Sequence, residues 1–323
     1  MKQLLLPKLI AIMLTCSAFI SCSSVKWVGI DRLVPAKMDL SEQVRRVAVL
    51  NNQPAVEDSK ASEEFFLSSQ AVADTLAQYL ADAAYFDEVV VSDTVCASNW
   101  LIDHKGRELR PTMVDELCKK LGVDMLVTVD YVSFVLAGVD FPFATGTVKV
   151  FMKCYQQGNP RPVASIRRTC EMEWEHWNYL KPHAVCVAAV LALPTLVPQW
   201  QSEQFPFYTG ANVGQRDAAV YVREGNWEGA ATLWRQQLNH KNRRRQMEAH
   251  LNMAVFHEVT DDNVTMARDY AQKALKLSKG EKDKGKELSY DTHLITEYMK
   301  EMERRGRNLE RVKQQMHRFS NDF

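Results

Sequence analysis

From Arg45 to about Trp174 short apolar runs alternate with stretches of helical period, whereas from Gly210 onward the apolar positions recur at helical spacing throughout. RRVAVLNN (45–52) is an apolar run closed by turn formers, which predicts a buried strand. After Ser68 and Ser69, whose hydroxyls suit a helix start, Val72, Leu76, Tyr79, Leu80 and Ala83 return at helical spacing. DEVVVSD (87–93) follows as a second strand. A second helix is expected with Thr112 as its cap and Asp115 near its positive end. Leu117, Cys118 and Leu121 form its inner face, and Gly122 stops it. LGVDMLVTVDYVSF (121–134) predicts a long strand entered straight from that helix. TGTVKVFMKCY and VASIRRTCEMEWE predict a hairpin around GNPRP. In it Val148, Val150, Met152 and Cys154 share one face, and Ile166, Cys170, Met172 and Trp174 share one face of the partner strand. The expected order is strand, helix, strand, helix, strand, strand, strand, a small α/β domain over 45–180 followed by a helical domain over 211–323. The fold class is therefore α+β.

The connector HAVCVAAVLALPTLVPQW (183–200) has roughly a dozen apolar residues before Pro194 and Pro198 interrupt it, short of the ~20 that a membrane span needs. It predicts a core helix packed on the α/β domain, and residues 181–210 are assigned to this helix and a Pro-rich link.

The first residues, MKQLLLPKLIAIMLTCSAFIS, combine Lys2 and Lys8, an apolar middle and a small residue at Ser21. This is the pattern of a secretory signal over 1–21, too short to span a bilayer. Phe19-Ile20-Ser21-Cys22 resembles the bacterial lipobox, which implies that Cys22 is acylated and becomes the first mature residue. Phe19 stands where that motif usually has Leu, and the rival tetrad ending at Cys16 carries Thr15 where a smaller residue is expected. The alternative, a buried core thiol, lacks a helix-length apolar segment around Cys22. Residues 22–44 then read as anchor and tether.

Cleavage after Ser21 removes Lys2 and Lys8 and no acid, taking the formal charge from +0 to −2. Residues 211–323 carry 21 basic and 17 acidic side chains, a balance of +4, which leaves −6 on residues 22–210. No basic balance points to nucleic acid. Cys96, Cys118, Cys154, Cys170 and Cys186 are widely spaced with no CxxC pair, so neither a zinc site nor a thioredoxin-like site is indicated.

The segment AAVYVREGNWEGAATLWRQQL (218–238) is similar to the tetratricopeptide consensus, with Ala218 and Tyr221 on one helix, Gly225 at the turn, then Trp227, Ala230 and Trp234. A second copy lies in 249–277, where Asn252, Ala254, Ala267, Ala271, Ala274 and Leu275 fall near consensus places, with one extra turn residue and Ala271 in place of an aromatic. Residues 288–319 have the length of another pair or of a capping helix. The helix followed by LGVDMLVTVDYV and a polar hairpin resembles the small α/β domain of the curli secretion lipoprotein, the penicillin-binding-protein activator lipoproteins and the amino-terminal domain of TolB. The mature chain as a whole is similar to an uncharacterised family of Bacteroidota lipoproteins with tetratricopeptide-like repeats. That resemblance also matches Pro198 and Trp200 to a Pro-x-Trp after an alanine-rich helix. It implies a cell-envelope protein. Ser23 and Ser24 follow Cys22 without the acidic cluster of surface-exported relatives, which implies the periplasmic face of the outer membrane.

Candidate chemistry is sparse. His250 and His257 lie two turns apart on a helix with no third ligand placed by spacing, so they are expected to pack rather than bind zinc. Asp103-His104 has no Ser or Cys in a nucleophile-elbow context, and no phosphate loop, dinucleotide fingerprint or metalloprotease pair occurs. The expectation is a protein that is not an enzyme, needs no cofactor or metal, and binds a protein or peptide partner through its helical repeats. Candidate contacts are Arg216, Tyr221, Arg223, Trp227, Trp234 and Arg235, although the three aromatics also occupy packing places of the repeat. Arg243, Arg244 and Arg245 lie in the basic cluster NHKNRRRQ (239–246), expected as a loop that is either simply solvated or meets an anionic partner or headgroups. The alternative function is a component or regulator of an envelope assembly or secretion machine acting through the α/β domain. The segment 135–146 is too short for the membrane-entering hairpin of a pore.

Overall fold

The computed structural model describes residues 25–53, 64–92, 108–140, 143–174, 180–210, 212–279 and 289–319. Cys22, Cys96 and the Asp103-His104 pair lie outside them. The chain is α+β, with a sheet-containing amino-terminal region and a helical carboxy-terminal region. It divides into two compact units: one takes in the chain to Arg32 and Gln201–Asn308, the other Leu33–Trp200 and Leu309–Phe323.

The sheet unit contains β2 (Arg46–Asn51), β3 (Glu64–Phe66), α1 (Ser69–Asp82), β4 (Glu88–Ser92), α2 (Pro111–Leu121), β5 (Met125–Asp140), β6 (Phe143–Gln156), β7 (Ala164–Trp174), α3 (Leu180–Val190) and α4 (Leu193–Leu196). The strands lie in the order β4-β2-β5-β6-β7, with short β3 pairing to β5. β2 runs parallel to β4 and to β5, while β6 runs antiparallel to both β5 and β7. Apolar residues of α1 and α3 pack with Val47, Val49, Val127, Val150, Met152 and Ile166 on one face. α2 covers Ala48, Leu50, Leu126 and Tyr155 on the other, so the centre of the sheet at β2 and β5 is buried between helices.

Local chemistry explains the boundaries. The hydroxyl of Ser68 accepts from the Ala71 amide and caps α1, as its position predicted. Thr112 does not cap α2: the helix opens on Pro111, after Arg110, because proline is preset for the first helical position, where its missing N–H leaves one fewer unpartnered donor. Gly122 ends α2 in the left-handed region, φ 69°, where a side chain would be strained. The alanine-rich connector forms α3 and α4, with Ala184, Ala188, Ala189, Ala192 and Leu196 in the sheet core. Among the described residues no helix is long and apolar enough to cross a membrane.

The carboxy-terminal residues complete this unit. The Gln315 side-chain amide donates to the Ala36 carbonyl (3.0 Å) and accepts from the Ala36 amide (2.9 Å). Arg318, buried, donates to the Val44 carbonyl and lies over the Tyr85 ring, 4.7 Å from its centroid.

The helical unit contains α5 (Val213–Arg223), α6 (Trp227–Arg235), α7 (Arg243–Thr260), α8 (Val264–Lys279) and the greater part of α9 (Ser289–Met316), a single 28-residue helix. It also holds most of a two-stranded ribbon, β1 (Val25–Val34) with β8 (Gln199–Tyr208), from segments the sequence suggested were tether and connector. Val28 and Ile30 of β1 and Phe205 and Tyr208 of β8 pack with Leu251, Ala254 and Val255 of α7.

Candidate functional site

α7 is the centre of the helical unit, and every residue from Met247 to Phe256 is buried. A helix apolar or enclosed on all sides must satisfy its polar residues internally. Asn252 does so by pairing with strand backbone: its amide accepts from the Tyr208 N–H at 2.7 Å and donates to the Tyr208 carbonyl at 2.8 Å. The Tyr208 hydroxyl donates to Asp291 at 2.6 Å, and burial with that carboxylate pushes the phenol pKa upward.

Further along α7, Glu258 meets Arg305 in a bidentate pair, Nε to Oε1 at 2.6 Å and Nη2 to Oε2 at 3.0 Å. Both side chains are almost fully enclosed, 1% and 4% exposed. Tyr298 donates its hydroxyl to Glu258 at 2.8 Å. Arg32 of β1 donates to the Glu258 carbonyl and to Asp262, the latter at 3.0 Å. The Phe205 ring lies under both guanidinium groups, 4.4 Å from Arg305 and 5.3 Å from Arg32. The network fixes the ribbon to α7 and α9. Its groups are consumed by one another, so it holds structure rather than substrate.

The expected contact residues do not form one surface. Trp234 is fully buried with Ala218, Ala230 and Phe256, and Trp227 is half-buried against the same packing. Both are core, the packing role their repeat positions suggest. Arg216, Tyr221 and Arg223 are exposed on α5, together with Val213 and Val220. Arg235 lies 3.5 Å from Glu228 and over the Phe256 ring.

The basic cluster is not a loop throughout, since Arg243, Arg244 and Arg245 form the first turn of α7. Asn242 makes this possible, its side chain accepting from the Arg244 and Arg245 amides. Cations at a positive helix end are unfavourable. Arg244 is offset by Glu248 at 3.3 Å, and Arg245 contacts His240. His250 and His257 both pack on Tyr270, His257 stacked at 5.3 Å between centroids. Among the described residues no cluster of potential metal ligands occurs.

Sequence reading missed one further constellation, at the carboxyl end of β2. There β2 lies between β4 and β5, and the crossover helices leading to them, α1 and α2, cover opposite faces of the sheet, the switch point at which open α/β sheets place ligands. Asn52 donates to Asp130 at 2.7 Å, and Lys153 lies 3.3 Å from the same carboxylate. Asp130 and Lys153 are 0% and 6% exposed, and burial raises the Asp130 pKa against the opposing pull of Lys153. Asp130 occupies a bulge in β5 between Val129 and Tyr131. Gln53 accepts from the Val132 amide at 2.7 Å, and the Ser69 hydroxyl donates to Asn51, also at 2.7 Å. Gln53 thus takes up a β5 amide beyond the end of β2, and the Asp130–Lys153 ion pair is closed to solvent. The signal was present as a lone Asp in LVTVDYV and as polar residues ending RRVAVLNNQ.

Residues 44–184 match a family model described as a domain of unknown function, DUF8603, and residues 216–304 match a second domain of unknown function, DUF6340. A search of curated proteins finds no match. Among solved structures the chain is similar to the PelC dodecamer from Paraburkholderia phytofirmans, at 13% identity and a TM-score of 0.29, over 53% of this chain and 99% of that one. A substituted form of the same dodecamer is similar over the same shares at 16% identity and a TM-score of 0.29.

Proposed function

We propose that this chain is a cell-envelope lipoprotein, held by acylated Cys22 at the periplasmic face of the outer membrane, that binds a protein or peptide partner without performing catalysis. The observation that supports a binding role is the pair of stacked helix hairpins, α5/α6 and α7/α8, closed by small residues at tetratricopeptide spacing. Ala218, Ala230, Ala231, Ala254, Ala267, Ala271 and Ala274 are all buried where helices meet. Gly225 makes the first turn at φ 74°. Stacked hairpins of this kind work through the surfaces they present.

α7 has no open face over its middle, because β8 and neighbouring helices enclose it. A partner therefore meets the exposed side of α5, with Arg216, Val220, Tyr221 and Arg223, or the arginines at the start of α7. Photo-crosslinking residues placed at Val220 and Tyr221 should capture the same discrete envelope protein, and Arg223→Glu should weaken that capture. Absence of any crosslink from α5 and from residues 243–245 would overturn the reading. Crosslinks only to further copies of the chain in ring-shaped oligomers would replace it with the assembly-component reading.

A further inference from the structure

We infer that the outward face of β1 rests on the bilayer surface, with Trp27 as an interfacial contact. This inference rests on the acylation of Cys22. Val25, three residues after that cysteine, is buried in the helical core, and Val28 and Ile30 pack on the same core. The chain from Cys22 to Val25 therefore spans at most about 10 Å. An acylated Cys22 leaves no tether: the start of β1 is held at headgroup level, where the interfacial layer is roughly 5–8 Å deep on each side.

β1 alternates from Trp27 to Arg32. Val28, Ile30 and Arg32 face inward, whereas Trp27, Gly29 and Asp31 are exposed. Trp27 is 57% exposed, an unusual position for an indole on a water-facing strand and the ordinary one for an indole at a membrane interface. Lys26, on the other side of the pleat, is exposed as well, and its cation at the start of the strand suits anionic headgroups. Across from Gly29 the exposed side chains of β8 are the uncharged Ser202 and Gln204, and Glu203 between them is largely buried and paired with Arg304. The first carboxylate on this face, Asp31, is four residues further along, about 13 Å at the strand rise. The ring thus enters the headgroup layer without carrying an acid with it.

The test uses the full acylated protein in vesicles of phosphatidylethanolamine and phosphatidylglycerol, part of the lipid brominated near the glycerol end of its acyl chains. Wild type should float with the vesicles and lose a minor part of its tryptophan emission to bromine quenching. Trp27→Phe should float equally and lose that quenching. Floating without quenching, or equal quenching in the variant, overturns the contact while leaving the anchor intact. Failure of the wild type to float identifies the anchor itself as wrong and takes the contact with it.

Discussion

The side-chain amide of Asn252, on a helix, holds both backbone groups of Tyr208, on a strand, at 2.7 and 2.8 Å. It supplies the donor and acceptor that a neighbouring strand would give, and so allows β8 to end against a helix without leaving its backbone unpaired. Asn252→Ala strands two buried groups, each costing about 1–3 kcal/mol. Thermal unfolding of the variant should begin well below wild type, with loss of helical signal first. A change within experimental error would show that the pairing contributes nothing.

The Glu258–Arg305 pair behaves differently according to which partner is removed. Arg305→Met leaves a buried carboxylate with only Tyr298 and should cost about 3–5 kcal/mol, whereas a double replacement by apolar residues of similar volume should cost much less. Denaturant titration of both singles and the double tests this, and additive losses would contradict the coupling.

Gln315 repeats the Asn252 device in the sheet unit, pairing with both backbone groups of Ala36. Gln315→Ala should loosen the segment before β2, and removal of residues 309–323, which also deletes Arg318, should expose β2 to protease. Limited proteolysis followed by mass mapping reads this directly; unchanged protection of residues 36–50 is the contrary result.

The described cysteines are free, with Cys118 and Cys154 buried, Cys170 half-buried and Cys186 exposed. Burial pushes Cys118 up to about 11 and Cys154 up to about 12, from an ordinary 9.0. Because the unfolded thiols ionise first, the stability they confer is complete below pH 9 and declines as the pH rises toward those values. At pH 8 a maleimide should label Cys186 well ahead of Cys118 and Cys154, which should react only in denaturant. Equal labelling of all in the native protein would refute their burial.

The alternating region was legible because its signals are local. RRVAVLNN is apolar over its own length, Ser68 and Gly122 mark helix ends by their own chemistry, and the β6–β7 hairpin closes over a short turn. β1 and β8 were not legible, since each is completed by a partner far away in sequence, and β1 spends an inward position on Arg32. Residues 288–319 read only as another helix pair or a capping helix, because nothing in Gln315 or Arg318 announces that their partners are Ala36 and Val44. Among contact candidates, Trp227 and Trp234 carried a packing signal and a binding signal at once, and burial decides for packing. The Asn52–Asp130–Lys153 cluster needed the strand register to bring its members together.

Lipid anchoring through Cys22 is read from the intact mass of the protein extracted from native membranes, wild type beside Cys22→Ala. The expected species is a chain beginning at Cys22 with added acyl mass, absent from the variant. A chain cleaved elsewhere and recovered in the soluble fraction would contradict it.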